Sequence, residues 1–324
     1  MLRLACVCFP LLAAIPVFAQ QLSKELDVPE KSEEYGSIAF SPNGARFYAA
    51  GTGEVIKVRD TSTGELLTQI KEQEHCYTWA LAMSPDGKTL AASHGFSGNE
   101  VGIVRLFDAE TGALKVALRG HKRVVRSIAF SADNKTVATC GDDHTLRWWN
   151  AAAGVETAMR TTNGVLFEFD VKSGLIAVPA GKSGIELWDT STMTQKQVSC
   201  GDLNVYRVSI SPGGHYIATN GPSYKNSLIS VWDTGSGKLV TSFGAGHNDS
   251  VSRLAFSPGG KVLASSNLNG RVTLWDFASG EELDHARGGV TSGLQFSPDG
   301  KKLAQVYGGS DSSSGVKLWE IAAK

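Results

Sequence analysis

His121, Thr139 and Asp143 place an imidazole, a hydroxyl and a carboxylate within 23 residues of one another. His247, Ser265 and Asn269 repeat the order, with an amide where the acid would stand. A hydroxyl, a base and an acid are the groups of nucleophilic acyl transfer, in which the base takes the hydroxyl proton and the acid orients the base. Asn269 argues against that use, because a hydrogen-bond brace tolerates an amide better than a charge-stabilising triad does. Other chemistries fail on spacing. Gly181-Lys182-Ser183 has the ending of a phosphate loop, but Ile176 stands where the upstream glycine must let backbone approach phosphate. There is no Gly-x-Ser-x-Gly elbow. Histidines 75, 94, 121, 144, 215, 247 and 285 form no His-Glu-x-x-His pair, so no metal and no cofactor is expected. Cys76, Cys140 and Cys200 form no Cys-x-x-Cys motif; one disulfide with a spare thiol remains open, and the sequence does not choose the pair.

What positions these side chains is a repeat. A strand-and-turn phrase opens each copy: Ile38-Ala39-Phe40-Ser41-Pro42-Asn43-Gly44, Leu81-Ala82-Met83-Ser84-Pro85-Asp86-Gly87, and further copies whose turns begin at Ser131, Ser211, Ser257 and Ser297. A weak copy at Phe167-Glu168-Phe169-Asp170 lacks Ser-Pro. Alternating apolar residues make the strand; proline presets φ and glycine accepts a positive φ in the turn. A second phrase closes each copy, at Arg59-Asp60, Phe107-Asp108, Trp149-Asn150, Trp188-Asp189, Trp232-Asp233, Trp275-Asp276 and Trp319-Glu320. The steps between them are 48, 42, 39, 44, 43 and 44 residues.

Seven copies at this period resemble the WD-repeat family. The resemblance implies an all-β, seven-bladed β-propeller of four-stranded antiparallel blades around a channel. Blades are expected at about 35–74, 75–120, 121–163, 164–203, 204–246, 247–288 and 289–324, within a single domain spanning 20–324. Residues 22–29 align with the outer strand that follows blade one and are expected to complete blade seven, closing the ring. The resemblance also implies a buried relay of His, Ser or Thr, Asp and Trp: His121, Thr139, Asp143 and Trp149 in blade three, and His247, Ser265, Asn269 and Trp275 in blade six. Blades one and four carry no recognisable relay.

Residues 1–19 read as a secretory signal peptide. Arg3 precedes an apolar run over 4–18, and Val17-Phe18-Ala19 offers small residues for cleavage. The run is short for a membrane span, although an uncleaved anchor is the alternative. Beyond residue 19 the chain carries 30 basic and 32 acidic residues. That balance gives no drive toward nucleic acid or anionic lipid. The expectation is an exported, monomeric protein, periplasmic or secreted and bacterial.

Two features suggest where a partner would sit. The loops between second and third strands carry inserts of five, three and four residues in blades two, five and seven, and inserts on one face can be binding loops or neutral drift. Five residues before the turn serine, at the channel mouth, stand Trp79, Arg126 and Tyr206, against Gly36, Ser252 and Ser292 elsewhere. Trp79, Arg126, Tyr206, Phe96 and Tyr224 form the candidate contact patch for an unidentified protein partner. The same rings could instead plug the channel. The reading is a non-enzymatic binding scaffold; the alternatives are a propeller lactonase or other hydrolase, or a binder of small ligands or glycans in the funnel.

Overall fold

The computed structural model describes residues 20–30, 35–71, 77–95, 102–201, 203–220, 228–244, 251–308 and 314–323. The signal segment, Cys76, Phe96, Tyr224, His247 and most of the three loop inserts lie outside the described residues. Among the described residues, 28 strands form seven four-stranded sheets. Neighbouring strands in every sheet run antiparallel and, in the first six blades, follow chain order from the channel outward. Blade one runs through Tyr35–Phe40, Arg46–Gly51, Val55–Asp60 and Leu66–Lys71.

Burial follows from sheets stacked face to face. Second and third strands are covered on both faces and read as nearly continuous buried runs, as in Val262–Asn267 and Thr145–Asn150. Outer strands are exposed along most of their length, as in Thr194–Val198. The core is correspondingly divided into seven clusters, each lying between two neighbouring blades. No blade buries its faces alone.

Blade seven consists of Thr291–Phe296, Lys302–Tyr307, Ser314–Ala323 and, as its outer strand, Gln20–Glu30. Gln20 lies opposite Ala323 and Glu30 opposite Ser314, with a bulge between Ser23 and Glu25. The bulge sends Leu22 to the cluster shared with blade six, and Leu26 and Val28 to the cluster shared with blade one. The closing strand thus clamps both neighbours and covers the edge that Ser314–Ala323 would otherwise expose.

The repeated phrases do local work. In blade two the Ser84 hydroxyl donates to Asp86 at 2.6 Å, Lys88 N–H donates to the same carboxylate, and Gly87 adopts φ 72°. The acid of the closing pair caps the following turn: Asp276 Oδ1 accepts from Ser279 N–H at 2.8 Å and from its hydroxyl at 2.9 Å. These acids are engaged in turns and are not presented to a substrate.

Candidate functional site: a buried relay and an open channel mouth

Blade three joins the first candidate set into one chain of hydrogen bonds. Trp149 Nε1 donates to Thr139 Oγ1 at 2.8 Å. Thr139 Oγ1 lies 2.7 Å from His121 Nε2, and His121 Nδ1 lies 3.0 Å from Asp143. A neutral imidazole protonated on Nδ1 gives every contact one hydrogen: Thr139 donates to Nε2, and Nδ1–H donates to the carboxylate. Burial lowers the His121 pKa against the pull of Asp143, which keeps the ring neutral. Burial raises Asp143, but the Lys122 N–H, the imidazole and the Thr145 hydroxyl outweigh it, and the net shift is downward. Thr139 is completely enclosed. A hydroxyl with no path to solvent cannot attack a substrate, so this set works as a brace.

Blade six keeps part of the pattern. Trp275 Nε1 donates to Ser265 Oγ at 2.8 Å. Asn269, expected inside the relay, is instead exposed on its turn. The reason lies two residues away. In blade three the backbone N–H of Thr145 donates to Asp143; in blade six the equivalent N–H, on Arg271, is already taken by Asn267 Oδ1 at 2.8 Å. Among the described residues no hydrogen bond draws the Asn269 side chain inward. Blade five carries a short version, Trp232 Nε1 to Thr219 Oγ1 at 3.1 Å. In blade four, Val178 occupies the position of Thr139, and the Trp188 indole N–H is buried without an acceptor.

Cys140 and Cys200 are both buried free thiols. Burial raises both, Cys200 to about 12, so neither is a ready thiolate. Among the described residues no group of three or more His, Cys, Asp or Glu is placed to hold a metal ion.

The ring encloses an open channel of about 620 Å³. In five blades the innermost strand bulges at one residue: Gly36, Trp79, Arg126, Ser252 and Ser292. A bulge breaks the two-residue alternation and aims successive side chains to the same side. Trp79 and Arg126 therefore meet across the interface of blades two and three. The Arg126 guanidinium carbon sits 4.0 Å from the centre of the Trp79 ring, and Tyr77 packs on Trp79 with centroids 4.3 Å apart. Arg126 is also held in a two-point pair by Asp142, at 2.9 and 2.6 Å. Gly95 makes this possible: a Cβ there would lie 2.7 Å from the indole nitrogen. Tyr206 does not join this group. It is exposed on the rim and hydrogen-bonds Asn204.

Sequence reasoning passed over the next residue along. Four residues before the turn serine stand Ser37, Ser127, Arg207 and Arg253, and each bridges to the following blade. Leu81 N–H donates to Ser37 Oγ and Phe167 N–H to Ser127 Oγ, each at 3.0 Å. Arg207 Nε donates to Ser252 O at 3.1 Å, and Arg253 Nε to Ser292 O at 2.8 Å. The signal was the recurrence of polar residues at one position, shifted by one from the aromatic column.

Glu168 also lines the channel, open to its water yet ringed by the walls. Enclosure, and then the charge of Asp170, raise its carboxyl to about 7. The folded protein thus holds this proton more tightly than the unfolded chain, so stability falls as pH rises from the ordinary carboxylate range to about 7. Glu168→Gln should flatten the melting temperature between pH 5 and 7.5 and raise it at the upper end. Channel water screens the charge, so the gain is expected to be about 2 °C. An unchanged pH profile in differential scanning calorimetry would refute the assignment.

Comparison with known proteins agrees with this architecture. The family described as "WD domain, G-beta repeat" matches residues 112–150 and 237–276. Each matched unit runs from the outer strand of one blade through the three inner strands of the next, and each ends in a Trp–hydroxyl bond described above. The chain is 26% identical over 227 residues to "Transcription initiation factor TFIID subunit 5" of Caenorhabditis elegans, covering 67% of this chain and 33% of that protein. It is 27% identical over 265 residues to "U3 small nucleolar RNA-associated protein 15 homolog" of Xenopus tropicalis, covering 78% and 48%. It is 27% identical over 253 residues to "Protein LST8 homolog" of Drosophila melanogaster, covering 72% and 77%. The match thus spans a third of the first relative's length and about half of the second's.

Proposed function

From the premise of a seven-bladed propeller built of WD repeats, we propose that the protein is a non-enzymatic platform that binds another protein, acting outside the cytoplasm after export. The observation that carries this reading is a contrast. The His–hydroxyl–acid set is sealed inside blade three, whereas Trp79, Arg126 and Tyr77 form an open aromatic and cationic patch at the channel mouth. Tryptophan, tyrosine and arginine dominate binding hot spots because they bury large areas at little entropic cost. The Caenorhabditis elegans relative is by name a subunit of a transcription initiation factor, which agrees with a platform role. A hydrolase in the funnel would need convergent carboxylates or histidines. Among the described residues the lining offers Asp142, already paired with Arg126; Glu168; and Asp170, which accepts from the Ser173 and Gly213 N–H groups.

The test joins capture to export. The full chain carrying a C-terminal tag is expressed in its own host, recovered from the envelope fraction, and its N-terminus and bound proteins are identified. Cleavage before Gln20 and a stoichiometric protein partner are expected. The double variant Tyr77→Ala, Trp79→Ala should lose most of that partner at unchanged folding. Equal capture by the folded variant would eliminate the patch, and an N-terminus at Met1 in the cytoplasm would eliminate export.

A further inference from the structure

We propose that the central channel binds a small molecule through an oxyanion, a carboxylate or phosphate group, held between Arg207 and Arg253. The proposal stands on channel geometry and does not depend on the protein-partner reading.

The two guanidinium groups converge. Arg207 Nε and Arg253 Nη1 both donate to one carbonyl, Ser252 O, at 3.1 and 2.8 Å. Their other protein bonds also go to carbonyls, from Arg207 Nη1 to Tyr206 O and from Arg253 Nε to Ser292 O. Among the described residues neither meets a carboxylate, and three of the five N–H donors on each are left over. None of the leftover nitrogens is among the sealed, unsatisfied atoms of the protein, and both side chains line the channel. The carbonyl bonds fix the planes of the two forks, so the unused donors are held ready.

Charge in the channel makes the same point. Arg126 is neutralised by Asp142. Glu168 lies on blade four, and enclosure, then the charge of Asp170, draws it toward its neutral form. Arg207 and Arg253 therefore stand side by side on the channel wall with no carboxylate bonded to either among the described residues. Such a pair is costly unless an anion joins it, and a cleft with low-dielectric walls concentrates counter-ions. Burial, and for Arg253 also the charge of Arg207, lowers both below the usual guanidinium value, which is the direction expected of crowded like charges. Planar forks of this kind match carboxylate and phosphate oxygens in two-point contacts. The 620 Å³ enclosure is of the size that takes small-molecule ligands.

The purified full chain is titrated at pH 7.4 with sodium phosphate and, separately, with sodium citrate, at ionic strength matched by sodium chloride. Calorimetry reads binding and melting reads stabilisation. Saturable one-site binding of at least one of the two anions is expected, with a melting shift that chloride does not reproduce; which anion binds identifies the source. Arg207→Gln and Arg253→Gln should each weaken it about tenfold, the loss expected for one charge-assisted contact. Arg253→Lys, which keeps charge and loses the fork, should fall between and serves if a glutamine variant does not fold. Arg271→Gln on the outer rim removes the same charge at a distance and should leave binding unchanged. Absence of saturable binding by both anions overturns the proposal. So does equal binding by a folded Arg207→Gln, Arg253→Gln protein, or equal weakening by Arg271→Gln.

Discussion

Thr139→Val should lower the unfolding free energy by about 2–5 kcal/mol, although the two side chains have nearly the same shape. The hydroxyl is the hinge of the relay, accepting from Trp149 and donating to His121. Removing it leaves a buried indole N–H and a buried imidazole nitrogen without partners, and each orphan costs about 1–3 kcal/mol. Urea unfolding followed by tryptophan fluorescence reads the effect. Serine at the same position should recover most of the loss, because it restores the oxygen. A valine variant within about 1 kcal/mol of the parent would show that the relay contributes little and that apolar packing holds blade three.

Val28→Asp should have a comparable effect by a different route. Val28 is buried among Phe40, Phe47 and Val316 at the junction of blades seven and one. Placing a carboxylate there strands a charge in an apolar cluster and costs roughly 3 kcal/mol or more. Because the residue sits on the closing strand, the penalty favours release of that strand. The variant is therefore expected to melt at lower temperature and to form concentration-dependent oligomers in light scattering, as the freed edge of Ser314–Ala323 pairs with other chains. A variant that melts early yet stays monomeric at all concentrations would argue that the strand remains in place.

Much of the fold was legible because it is written seven times. The turn serine, the closing aromatic and their period give blade number, strand order and the placement of the closing strand, since each copy must bury itself against the next. The relay of blade three was legible for the same reason. What escaped was local. The alternation rule assumes an unbroken strand, and the bulge at Trp79, Arg126 and their equivalents sends two successive residues toward the channel. Arg253 was hidden by that extra residue, and Arg207 by a strand that does not begin until Val208. Asn269 was misplaced because a backbone N–H that would have drawn it inward had another acceptor, Asn267. Tyr206 shares its column with Trp79, but blade five does not resume its strand until Val208, so the ring stays on the rim.

The pairing of Gln20 with Ala323 has a kinetic side. The segment that begins the described chain meets the one that ends it, so six blades can assemble progressively while the seventh stays a three-stranded sheet. Its missing member must wait, extended and unsatisfied, until Ser314–Ala323 has been made. Contacts of such sequence separation make this the slow step of maturation, and the interval before it is when the chain most needs shielding from its neighbours.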